Sequence, residues 1–64
     1  MKLSRDKINL QLARNQWTVK NLAEAYGVTR NRINTLLNQR EVSTVSAGRL
    51  AAALGVDVTE ILED

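Results

Sequence analysis

The stretch Arg30–Asn38 (RNRINTLLN) combines side chains suited to one kind of chemistry. Its apolar members Ile33, Leu36 and Leu37 fall on one side of a helical projection, which leaves Arg30, Asn31, Asn34, Thr35 and Asn38 on the other. A merely solvated helix face favours Glu and Lys, which support helix and solubility. Asn and Thr are poorer helix formers, so their presence points to a task beyond stability. Arg pairs with guanine, Asn with adenine, and the Thr methyl packs on thymine in the major groove of duplex DNA. The stretch contains no acid, as a surface facing a polyanion requires.

Other chemistries are poorly served. The 64 residues contain neither Cys nor His, which excludes a disulfide framework, a Cys/His zinc site and thiol or imidazole catalysis. Of the seven carboxylates, four lie in the last eight residues (Asp57, Glu60, Glu63, Asp64), where a pair such as Glu60/Glu63 has no cleft to act in. We therefore expect no enzyme activity, no metal and no cofactor, and infer no small-molecule ligand. The net charge of +2 conceals an asymmetry: residues 1–56 carry all nine Lys/Arg against three acids, a net +6, whereas residues 57–64 carry −4. A basic body with an acidic tail suggests a polyanionic partner held away from the C-terminus. The longest apolar run, Leu50–Leu54, is far short of the roughly 20 residues of a membrane span, so the expectation is a cytoplasmic protein with no membrane contact.

The elements that position Arg30–Asn38 are legible from one repeated device. A Ser, Thr or Asp cap sits between an apolar residue just before it and another at the fourth helical position. Ser4, Thr18, Thr29, Ser43 and Asp57 have this setting, with apolar pairs Leu3/Ile8, Trp17/Leu22, Val28/Ile33, Val42/Ala47 and Val56/Ile61. Five caps predict five helices, over about 5–15, 19–26, 30–38, 44–54 and 58–62, in one all-α domain spanning residues 1–64. Gly27 and Gly55 stand where left-handed residues end helices, and Gln39 stands there for the third helix, at a cost if it takes positive φ. Asp57-x-x-Glu60 reads as a capping box for the fifth. Trp17 and Tyr26 are assigned to the core, and Arg14 and Arg49 to solvent or to pairing with nearby acids. Gly27-Val28-Thr29 is too short for a comfortable antiparallel hairpin and suits a steep crossing, with small Ala23 at the closest approach. Residues 19–38 thus form a helix-turn-helix.

These residues resemble the Cro/C1-type (XRE) helix-turn-helix family, the lambda-repressor-like domains. The resemblance runs from about Ile8 to Leu62. Its carriers are Leu22-Ala23, Gly27-Val28-Thr29, Ile33, Leu36, Asn38, Leu50-Ala51-x-Ala53-Leu54-Gly55-Val56 and Thr59-Glu60-Ile61-Leu62. It implies a five-helix lambda-repressor-like bundle and a sequence-specific double-stranded DNA-binding transcriptional regulator, a small repressor. The implied base-reading positions are Arg30, Asn31 and Thr35, with Asn34 beside them. The implied phosphate positions are Thr18, Val19 and Lys20 at the start of the second helix, Asn38, and Arg40 in the following loop. Arg32, on the helix flank, is either a phosphate contact or a solvated charge, and Asn38 is equally a helix-end cap. Val19 stands where the family usually has Gln, so Lys20 and the helix N-terminus must take over that contact. Gln39 replaces the usual Gly, and the loop after it is one residue short of common.

A single such domain buries little DNA surface, so a homodimer on DNA is expected, with Val56, Val58 and Leu62 as candidates either for the interface or for closing the core. Two alternatives share the fold. One is an antitoxin-type autoregulator paired with a toxin. The other is a helical protein-interaction module without DNA affinity.

Overall fold

The computed structural model describes residues 1–39 and 41–63. Four α-helices follow one another: α1 (Arg5–Asn15), α2 (Val19–Tyr26), α3 (Arg30–Asn38) and α4 (Thr44–Leu54). A single 3-10 turn, Val58–Glu60, comes last. Each helix begins at its expected cap. The Ser4, Thr18, Thr29 and Ser43 hydroxyls accept the backbone N–H of Lys7, Asn21, Arg32 and Ser46 at 3.1–3.3 Å, satisfying one otherwise orphaned donor in each first turn.

The helix ends divide into two kinds. In α4, Gly55 is left-handed (φ 74°), its N–H bonding the Ala52 carbonyl and the Val56 N–H the Ala51 carbonyl. This doubly bonded end recurs in α1, where Gln16 takes the left-handed position (φ 56°), its N–H bonding Ala13, and Trp17 bonds Leu12. Gln16 is the one positive-φ non-glycine residue among the described residues. Gln39, which a positive φ would have strained, is extended (φ −72°). The chain leaves α3 without a left-handed turn, so Gln in place of Gly is unstrained there.

The fifth helix is a correction. Asp57 caps as expected, but its Oδ1 accepts both the Thr59 N–H (2.9 Å) and the Thr59 hydroxyl (2.8 Å). The Asp57 carboxylate thus takes the Thr59 N–H in place of the Glu60 N–H expected of a capping box, and the Glu60 N–H bonds the Asp57 backbone carbonyl instead. Three residues then wind as 3-10 helix, and the chain straightens at Leu62, which pairs antiparallel with Leu3. Backbone pairing with the N-terminal segment takes the donors and acceptors that a longer helix would use: Ser4 N–H bonds the Ile61 carbonyl and Glu63 N–H the Lys2 carbonyl.

The core lies where the helices converge. Ile8, Leu22, Ile33, Leu50 and Ile61, one from each element or its edge, are fully enclosed, each contributing about 1.5–3 kcal/mol by leaving water. Both partners of every apolar capping pair belong to this cluster or pack against it. Among the described residues, no helix is long and apolar enough to cross a membrane.

Candidate nucleic-acid interface

α2 and α3 pack directly on each other, with Ala23 buried at their contact and Ile33 and Leu37 anchoring α3 from below. Gly27, left-handed at φ 92°, makes the turn between them: its N–H and that of Val28 both bond the Ala23 carbonyl. Only a residue without Cβ adopts this conformation freely. Because Ile33 and Leu37 face inward, Arg30, Asn31, Arg32, Thr35 and Asn38 stand exposed, while Asn34 is half-buried at the margin. The Thr35 hydroxyl donates to the Asn31 carbonyl at 3.0 Å, one turn back. That bond uses its proton internally and fixes the side chain. Leu36 is half-buried rather than inside, at the edge of a groove of about 450 Å³ lined also by Tyr26, Val28, Arg32, Ser46 and Arg49.

The start of α2 is arranged around Asn21, a residue that sequence reasoning missed. Its Oδ1 accepts the Thr18 N–H (2.9 Å) and the Thr18 hydroxyl (3.1 Å), while the Thr18 Oγ1 accepts the Asn21 N–H (3.3 Å). Thr18-x-x-Asn21 is the visible signal, a shorter amide in place of the usual Glu or Gln. With Thr18 occupied, an anion approaching this end meets the outward N–H groups of Val19 and Lys20 and the exposed Lys20 ammonium. Arg40 lies outside the described residues.

One further placement differs from expectation. Arg49 is exposed but engaged: its guanidinium stacks over the Tyr26 ring, and among the described residues it pairs with no acid. Val56, Val58 and Leu62 are all half-buried against the core, with part of each surface still exposed. The charge pattern survives folding. Glu24 is the one acid of α2, and α3 has none. Asp57, at the far end of the chain, is the acid whose environment is most defined: two bonds from Thr59 hold its carboxyl below the ordinary aspartate range.

A packed helix pair joined at Gly27, with an acid-free second helix and an anion-attracting helix start beside it, is suited to lying on a charged duplex. Comparison with known proteins bears on this directly. No curated protein and no solved structure matches the chain. The family model of the Cro/C1-type HTH DNA-binding domain does match, over residues 7–64. That span takes in α2, α3, α4, the 3-10 turn and nearly all of α1, and the chain belongs to the Cro/C1-type HTH DNA-binding domain family.

Proposed function

We infer that this protein is a sequence-specific regulator of transcription that binds double-stranded DNA, acting as a small repressor. α3 enters the major groove and α2 lies across the backbone. The observation that carries this reading is the exposed, acid-free face of α3. Arg30 and Asn31, at its N-terminal end, read base edges, with Thr35 one turn on and Asn34 at the margin. Lys20, Arg32, Asn38, Arg40 and the α2 N-terminus around Thr18 hold phosphates, which supply most of the affinity but no sequence information. The half-exposed rim of Val56, Val58 and Leu62 joins two copies across a two-fold axis.

Selection of sites from a random duplex pool, repeated across salt concentrations, tests this. The expected product is an inverted repeat with half-sites about 34 Å apart. One enriched half-site would remove the dimer and keep the reader. Salt-sensitive retention that enriches nothing would remove sequence specificity, and no retention at low salt would remove DNA binding altogether.

A further inference from the structure

The residues ahead of α1 are held at every step. The Val42 N–H donates to the Met1 carbonyl at 2.8 Å, and the Met1 nitrogen donates to the Val42 carbonyl at 3.0 Å. The Glu63 N–H donates to the Lys2 carbonyl at 3.0 Å. Leu3 is buried and bridges Leu62, and the Ser4 N–H donates to the Ile61 carbonyl at 2.8 Å. Lys2 is thus bonded through its own carbonyl and through both neighbours. In extended chain, successive side chains point to opposite sides. With Leu3 in the core, Lys2 is exposed.

Its side chain lines a cleft of about 450 Å³ together with Leu3, Asn38, Gln39 and Glu63. The C-terminal end of α3 forms part of this cleft, and a helix C-terminus repels anions, because its carbonyls carry the negative end of the dipole. Asn38 alone is therefore a poor phosphate ligand. Lys2 places a cation beside it, across the cleft from the Glu63 carboxylate. Among the described residues its ammonium makes no hydrogen bond or ion pair within the chain. Its backbone is already ordered, so less chain entropy is lost when it binds.

We propose that Lys2 is a further DNA-contacting residue, forming with Asn38 a site at the end of α3 for one phosphodiester group of the duplex backbone. The inference rests on the DNA-binding reading and extends its contact surface to the N-terminal segment. The ammonium supplies charge and donors, and the Asn38 amide supplies a second donor. Glu63 in the same cleft opposes the phosphate.

The test is binding of a labelled mixed-sequence duplex, followed by anisotropy from low salt upward, for the parent chain, Lys2→Gln, Lys2→Arg and Glu63→Gln, with melting curves alongside. Lys2→Gln is expected to weaken binding about three- to tenfold and to make the log–log salt slope shallower by about 0.9, the share of one phosphate. Lys2→Arg keeps both, and Glu63→Gln tightens binding. Unchanged affinity and slope in Lys2→Gln, with the parent binding normally, would overturn the contact. So would a loss accompanied by a lowered melting temperature, which would make Lys2 structural. A parent chain that binds no duplex at all would instead overturn the DNA-binding reading beneath it.

Discussion

The guanidinium of Arg49 lies 4.5 Å from the centroid of the Tyr26 ring, and its Nη2 donates to the Tyr26 carbonyl at 3.3 Å. One side chain of α4 thereby covers the last residue of α2 and neutralises the negative end of that helix. Removing it in Arg49→Ala should lower stability by about 0.5–1 kcal/mol, the range of an exposed cation–π contact. A urea titration of Arg49→Ala, Tyr26→Leu and the double variant gives the coupling. Strictly additive losses would mean the stack contributes nothing.

Gln16 occupies a left-handed position that Gly55 fills in the matching turn of α4. A left-handed conformation costs a side-chain-bearing residue about 1–2 kcal/mol, of which glycine's extra freedom in the unfolded chain takes back part. Gln16→Gly is therefore expected to stabilise the fold by about 0.5–1 kcal/mol. Gly55→Gln should have the opposite sign, and equal midpoints for all three chains in urea would refute the assignment.

Arg30→Ala should leave the melting temperature in place, because the side chain is exposed at the first position of α3. On the selected site its binding should weaken by about 1–3 kcal/mol, with tolerance of other bases at one position only. A uniform loss across all duplexes would make Arg30 a phosphate contact instead.

Asp57 titrates below the ordinary aspartate value of about 3.9 because Thr59 donates to its carboxylate twice. A depressed folded-state value contributes stability that is complete above the unfolded value and is lost as pH falls through the folded one. Acid titration followed by carboxyl NMR should show Asp57 protonating below the ordinary aspartate value. Asp57→Asn, which keeps an acceptor but not the charge, should remove that share of the acid dependence.

Local chemistry made most of the fold legible. Ser4, Thr18, Thr29 and Ser43 mark the four helix starts because a cap bonds within three residues of itself, and Gly27 and Gly55 mark two ends for the same reason. The outer face of α3 followed from the inward turn of Ile33 and Leu37. Long-range bonds were not legible. Arg49 finds Tyr26 across 23 positions, and Leu3 finds Leu62 through backbone groups that every residue carries. The latter pairing shortened the fifth helix to a single turn. Thr18-x-x-Asn21 was readable in principle, but the short amide falls outside the usual form of the box.

The 3.0 Å bond from Glu63 to Lys2 brings the last described residue of the chain against the second. Topologically the fold is almost a ring. A short glycine-containing linker joining the segments around Lys2 and Glu63 would close it without displacing a helix, and cyclisation would shrink the unfolded ensemble far more than the folded one. The same nearness makes the molecule a candidate for circular permutation, with new ends opened in an exposed turn away from α3. A group attached at Lys2 or Glu63 will sit beside the end of α3, so labels belong elsewhere on the molecule.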